Sequence, residues 1–107
     1  FILEKVVVQP FVSIGNNVMI WSGSQVSHHS IIEDHVFFGA HVAVSGHCKI
    51  DSYSFLGINS TIRERIHFKE GGLLAMSAAV TEDTEPWSIY KGVPAKKTSD
   101  SSRNFDI

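Results

Sequence analysis

Histidine offers the most versatile chemistry in this chain, and its spacing is regular. Four of the six histidines recur at every sixth position: His29, His35, His41 and His47. His28 directly precedes the first of them, and Gly46 follows His28 after three such intervals. Imidazole has an unperturbed pKa near 6.5, so it can transfer protons at neutral pH, and its neutral form binds metal ions. The available chemistry therefore depends on which rings the fold brings together.

A large hydrophobic residue recurs every six positions along most of the chain. It occupies fourteen consecutive repeats, at Ile2, Val8, Ile14, Ile20, Val26, Ile32, Phe38, Val44, Ile50, Leu56, Ile62, Phe68, Leu74 and Val80. A second, mostly small residue follows each of these positions by four, as at Ser24, Ser30 and Ser54. An amphipathic helix repeats at 3.6 residues and a half-buried strand at 2, so neither explains a period of six. The period predicts an all-β parallel β-helix, in which each hexapeptide forms one strand and one corner.

Three hexapeptides form one triangular coil, so residues three repeats apart lie above one another. Residues 1–84 are therefore predicted to form about four to five coils of the β-helix. Asn17, Asp34 and Asn59 fall between the strands, where Asn and Asp tolerate the tight or left-handed backbone of a corner. The repeat stops after Val80, and we expect a short strand and turn over 85–97 and a flexible tail over 98–107.

Composition narrows the possible functions. The net charge of −2 offers no basic surface for nucleic acid. No run of eighteen apolar residues and no signal peptide is present, which predicts a cytoplasmic protein without a membrane partner. The single cysteine, Cys48, lies on the small inward position, where a core role is expected. The repeat starts at the second residue, which suggests a fragment or a short family member.

Several motifs together resemble the left-handed β-helix acyltransferases. They are the hexapeptide repeat, Ser27-His28-His29-Ser30, Phe55-Leu56-Gly57-Ile58-Asn59-Ser60 and Tyr90-Lys91-Gly92-Val93-Pro94-Ala95-Lys96. The most similar branch is that of the bacterial sugar acetyltransferases of the NeuD and PglD type, and the resemblance covers about Ile2 to Lys97. It implies a left-handed coil and a homotrimer that binds acetyl-CoA between its subunits. It also implies acetylation of a hydroxyl or amine on a sugar or nucleotide sugar, in surface-glycan biosynthesis.

The resemblance also implies roles for individual residues. His28 matches the general base that removes a proton from the acceptor. Gly46, one coil later, matches the residue whose backbone N–H stabilises the oxyanion and contacts the cofactor. Ile58 and Met76 match positions that contact the pantetheine arm, and Lys96 is expected near the phosphates of acetyl-CoA.

The sequence departs from the family pattern at two positions of the expected active site. His29 stands where the family usually has an acidic residue next to the base, so the candidates to support His28 are His29 itself, or Glu33 or Asp34 a few residues on. A second family histidine near the thioester corresponds to Phe37, which cannot form a hydrogen bond through its ring.

Two other functions compete with acetyl transfer. The γ-class carbonic anhydrases are similar in fold and hold zinc through three histidines at the trimer interface. Consecutive histidines six apart should point to three different corners, so one subunit is not expected to gather them, and no metal is expected. A non-catalytic β-helix scaffold is the other alternative. Metal analysis tests the first alternative, and acetyl-CoA binding tests the second.

Overall fold

The chain forms a triangular parallel β-helix, as its period predicts. A computed structural model describes residues 1–105. Thirteen two-residue strands follow one another: β1 (Val7–Val8), β2 (Ser13–Ile14), β3 (Met19–Ile20), β4 (Gln25–Val26), β5 (Ile31–Ile32), β6 (Phe37–Phe38), β7 (Ala43–Val44), β8 (Lys49–Ile50), β9 (Phe55–Leu56), β10 (Thr61–Ile62), β11 (His67–Phe68), β12 (Leu73–Leu74) and β13 (Ala79–Val80). The all-β, left-handed β-helix prediction is confirmed.

The strands stack into three faces. The first face contains β1, β4, β7, β10 and β13, the second contains β2, β5, β8 and β11, and the third begins with β3, β6, β9 and β12. Neighbouring strands are parallel, and paired residues are one coil apart, as Val7 opposite Gln25 shows. Backbone N–H groups of one coil donate to carbonyls of the next, for example Ser13 N–H to the Ser30 carbonyl at 3.1 Å. The predicted interval of three hexapeptides therefore sets the register of every face.

The large inward residues form the core of the prism. From Ile20 to Val80 they are 0–2% exposed, and complete burial of such a side chain contributes roughly 1.5–3 kcal/mol. Ile2 and Val8, in the first coil of the described residues, are 51% and 42% exposed. The hydrophobic period thus becomes one continuous apolar column.

The small inward positions satisfy the backbone beside that column. The Ser30 hydroxyl donates to the Ser45 carbonyl at 2.9 Å and accepts the Cys48 N–H at 3.1 Å. The Cys48 thiol takes the equivalent place one coil later, with Sγ 3.0 Å from the Arg63 carbonyl. The Ser60 hydroxyl is also buried but has no hydrogen-bond partner among the described residues. The polar residues of this core therefore differ in their contribution to stability, since Ser30 is hydrogen-bonded and Ser60 is not.

Each corner contains one residue with a left-handed backbone. The four regularly spaced histidines occupy this position, with φ between +56° and +62°. Asn17 and Asn59 do so too, but Asp34 does not, while Phe11 and Tyr53 adopt the same conformation. The left-handed conformation costs a non-glycine residue roughly 1–2 kcal/mol. The hydrogen-bonded strands on either side of the corner impose the left-handed backbone, so residue type alone does not predict which residue adopts it.

The C-terminal segment extends the third face. β14 (Ser88–Lys91) pairs parallel to β12, and β15 (Lys96–Ser101) pairs antiparallel to β14 before a 3₁₀ helix at Ser102–Asn104. Residues 98–104, for which a flexible tail is predicted, thus lie in a strand and a 3₁₀ helix, because β14 offers an edge for pairing and Arg103 lies 4.6 Å above the Trp87 ring. Residues 106–107 of the predicted tail lie outside the described residues. Within 1–105, no helix has the length and hydropathy needed to cross a membrane.

Candidate functional site

The corner between the first and second faces carries most of the predicted chemistry. The chain turns there from β4 to β5 through His28 and His29, and from β7 to β8 through Gly46 and His47. The two turns stack because they are one coil apart. We call these four residues the histidine corner. All three histidine side chains are exposed, whereas Gly46 is buried.

His28 packs directly on Gly46. A Cβ built on Gly46 would lie 2.8 Å from both Cε1 and Nε2 of the His28 ring. Gly46 does not have a left-handed backbone, so the close approach of the imidazole, and not backbone strain, calls for glycine here. Among the described residues, the Gly46 N–H has no intramolecular acceptor, and this leaves a backbone donor beside the imidazole. The structure thus brings together the first two predicted site residues.

His29 is the immediate polar neighbour of His28. The Nδ1 atoms of the two rings are 3.0 Å apart, so one must donate a hydrogen and the other accept it. When His28 is the donor, its Nε2 is left without a hydrogen and can accept a proton. Glu33 follows β5 at the opposite end of this strand and makes no hydrogen bond to His28 within the described part of the chain. His29, and not Glu33, is therefore placed to orient the ring.

His47 joins these two residues in a cluster of three imidazoles. The His29 and His47 rings are parallel, with centroids 4.7 Å apart, and His28 lies edge-on to both at 5.3 and 5.2 Å. Desolvation, followed by the positive charge of Arg65 and by His29 and His28, lowers the pKa of His47. Histidines six apart do lie at different corners, as predicted. The conclusion that one subunit cannot gather its histidines is nevertheless wrong, because His29 and His47 are one whole coil apart and lie together with His28.

The third face carries an apolar groove of about 710 Å³. Outward side chains of successive coils line it, namely Trp21, Phe37, Phe55, Leu73 and Ile89. Phe37 and Phe55 stack with centroids 4.9 Å apart. The aromatic residue that replaces the second family histidine thus belongs to this groove and not to the surroundings of His28.

The residues predicted to bind the cofactor divide between two sides of the molecule. Ile58 and Met76 line the margin of the apolar groove and are 54% and 72% exposed. Lys96 lies on the C-terminal hairpin, opposite Lys91, and Lys91 also lines the groove. The histidine corner faces away from the third face, because it is the corner between the other two. A single chain therefore does not bring His28 and the groove residues into one pocket.

Two residues of interest escaped the sequence analysis. Lys91 adds a cation to the groove. Its position there follows from the pairing of β14 with β12, which the sequence pattern does not predict. His47 is not among the residues predicted for the site. The signal that would have found it was present, because the interval of one coil that links His28 to Gly46 also links His29 to His47.

Comparisons with known proteins agree with this architecture, although no protein-family model matches the chain. It is similar to the acyl-[acyl-carrier-protein]–UDP-N-acetylglucosamine O-acyltransferase of Gloeothece citriformis, with 26% identity over 83 residues, 78% of this chain and 30% of the relative. A serine acetyltransferase structure in complex with cysteine superposes with a TM-score of 0.84 at 21% identity, over 91% of this chain and 42% of that chain. The chain is thus similar in sequence to a curated acyltransferase and in fold to hexapeptide-repeat acetyltransferases.

Another solved structure similar to this hexapeptide-repeat chain is AntD of Bacillus cereus, an N-acyltransferase in complex with dTDP and coenzyme A. It superposes with a TM-score of 0.69 at 17% identity, over 94% of this chain and 80% of that chain. The hexapeptide-repeat chain spans only about a third of the length of the curated relatives it matches. The structural likenesses establish the fold.

Proposed function

We propose that this protein is an acetyltransferase that transfers the acetyl group of acetyl-CoA to a hydroxyl or amine of a sugar or nucleotide sugar. The observation that carries the proposal is the contact between the His28 imidazole and Gly46. It combines a proton acceptor with an unengaged backbone N–H at one exposed corner. Acyl transfer requires both, since a proton must leave the acceptor while negative charge develops on the thioester oxygen.

The proposed reaction uses this pair in sequence. His28 Nε2 removes the proton from the acceptor hydroxyl or amine as the acceptor attacks the thioester carbon. The tetrahedral oxyanion receives a hydrogen bond from the Gly46 N–H, which is worth most in a site that excludes water. As the intermediate collapses, the C–S bond breaks and the His28 imidazolium returns its proton to the CoA thiolate. His29 supports the base, because a hydrogen bond at Nδ1 fixes which nitrogen of His28 is free.

The active site would be completed by a second subunit of a homotrimer. The separation of the histidine corner from the apolar groove supports this arrangement, because neither side alone holds both a base and a lining for the cofactor arm. In the trimer, Ile58 and Met76 of one subunit would contact the pantetheine while a neighbour supplies His28 and Gly46. Lys96, with Lys91 opposite it, is a candidate for the CoA phosphates.

The names of similar proteins support the substrate class. The relative from Gloeothece citriformis is named for acyl transfer to UDP-N-acetylglucosamine, and AntD was solved with coenzyme A and a nucleoside diphosphate. The first name supports a nucleotide-sugar acceptor, although its acyl donor is an acyl carrier protein, and the second supports coenzyme A as the carrier of the acyl group. Because CoA and nucleotide sugars are intracellular metabolites, a cytoplasmic site of action forms part of the proposal.

A thiol-release assay tests the reaction. The protein is mixed with acetyl-CoA and a panel of amino-sugar nucleotides and sialic acids, and the free CoA thiol is followed. We expect His28→Ala to lower turnover by about 100-fold or more, because loss of a general base typically costs 10²–10⁴. His41→Ala is a matched control, since His41 is exposed at a corner that holds no second histidine among the described residues.

Two outcomes would contradict the proposal. Near-normal turnover of His28→Ala would remove the base from the mechanism. Failure of the wild-type chain to bind acetyl-CoA would favour a non-catalytic scaffold. Sedimentation at micromolar concentration tests the subunit arrangement independently, and a monomer that is fully active would exclude a site shared between subunits.

A further inference from the structure

We propose that His28, His29 and His47 bind a divalent transition-metal ion of the zinc class, and that the bound ion inhibits acyl transfer by occupying His28. The binding site depends only on the three side chains. The inhibition rests on the function proposed above, since it requires His28 to be the base.

The positions of the three rings allow a common ion. One ligand nitrogen from each ring lies within 4.8 Å of the other two, and Nδ1 of His28 is 3.0 Å from Nδ1 of His29. Tetrahedral zinc with Zn–N bonds of about 2.0–2.1 Å places its ligand nitrogens about 3.3 Å apart. The longest separation therefore has to close by about 1.5 Å, which rotation of exposed side chains can provide.

Binding also requires the stacked rings to change their tilt. The His29 and His47 planes are parallel within 1°, whereas the nitrogen lone pairs lie in the ring planes and must converge on one point. His28 already stands perpendicular to both rings. We expect side-chain rotation to provide this movement, since a ladder bond of 3.0 Å from the His47 N–H to the His28 carbonyl holds the two turns in register.

The donor set selects the class of metal. The cluster offers three imidazoles and no carboxylate, and imidazole favours zinc, copper, nickel and iron, whereas magnesium and calcium prefer oxygen ligands. Three protein ligands leave the fourth zinc position open to water. Arg65 is close enough to lower the pKa of His47 by its charge, so it also opposes a divalent cation.

Binding is measured on the full chain after treatment with a chelator, without any acyl substrate. Zinc is titrated in competition with a chromogenic chelator, and cobalt serves as a spectroscopic substitute. His29→Asn and His47→Asn each remove one ligand, and Asn tolerates the left-handed backbone of these positions. His41→Asn makes the same change at a left-handed position outside the cluster.

We expect one zinc per wild-type chain and the tetrahedral visible spectrum of cobalt. Each cluster variant should weaken binding by at least about tenfold, because even the loss of an outer-shell partner costs 10- to 100-fold. His41→Asn should bind like the wild type, and Arg65→Asn should bind more tightly. Equal affinity of the wild type and His47→Asn, or no binding at tens of micromolar zinc, would overturn the site.

The inhibitory role has a separate readout. Zinc should suppress thiol release by the wild type, and a chelator should restore it. If zinc binds through these residues but leaves turnover unchanged, the inhibition is wrong and the metal site stands. If no acyl transfer occurs under any condition, the proposed function fails, and the binding titration still decides the metal site.

Discussion

Gly46→Ala is the sharpest test of the contact between the base and the next coil. The added Cβ would lie 2.8 Å from two atoms of the His28 ring, whereas ordinary van der Waals contact begins at 3.4 Å. The imidazole must therefore move by at least about 0.6 Å, since this overlap is strongly repulsive. A displacement of about 1 Å in a reacting group can cost about 100-fold in rate. We expect a loss of that order, equivalent to about 2.7 kcal/mol of transition-state stabilisation.

The substitution should not destabilise the fold. Gly46 does not have a left-handed backbone, and glycine to alanine at a compatible position stabilises by about 0.4–1 kcal/mol through the unfolded state. The assay is thiol release at saturating acetyl-CoA, accompanied by urea denaturation of the same samples. Normal stability together with low turnover would locate the defect at the site.

A double-mutant cycle identifies the route of the effect. If Gly46→Ala acts by displacing His28, adding it to His28→Ala should change turnover very little, because the two changes remove the same interaction. A further large loss in the double variant would mean that alanine harms the oxyanion donor instead. Wild-type turnover of Gly46→Ala would refute the contact as a catalytic feature.

Two further predictions concern the small inward positions. In urea denaturation, Ser30→Ala should lower the free energy of unfolding by about 1–3 kcal/mol, because it leaves the Cys48 N–H and the Ser45 carbonyl without their partner. Ser60→Ala should leave that free energy unchanged or raise it, because the Ser60 hydroxyl has no partner to lose among the described residues. Burial raises the pKa of the Cys48 thiol, so the folded state holds this proton more tightly, and stability should fall as pH rises above about 9, the ordinary range of a thiol. Cys48→Ser should remove that slope, and a slope of equal size in this variant would contradict the assignment.

The repeating part of the fold could be predicted because one physical pattern determines it. A period of six places a hydrophobic side chain inward once per strand, and the buried residues from Ile20 to Val80 confirm this. The vertical register follows from three strands per coil, so the proximity of His28 and Gly46 was also accessible from sequence. Stacking arithmetic succeeds because each coil contacts mainly the coils beside it.

The remaining features depend on tertiary contacts that no local pattern encodes. The left-handed corners at Phe11 and Tyr53 arise because the ladder imposes a backbone that aromatic residues seldom adopt alone. The strand β15 is polar and lacks the hydrophobic period, so its pairing with β14 depends on an edge that exists only after folding. The apolar groove likewise collects outward residues that are distant in sequence.

The histidine corner shows how one stacking interval can create two chemistries. Placing Gly46 against His28 requires successive turns to lie in register, and the same register places His47 against His29. A base at this corner therefore has two neighbouring imidazoles, of which only His29 contacts it through Nδ1. His47→Asn separates the two chemistries, because it removes a metal ligand and leaves the contact between His28 and His29 in place. An active enzyme that has become insensitive to zinc would show that the third ring serves the metal and not the proton transfer.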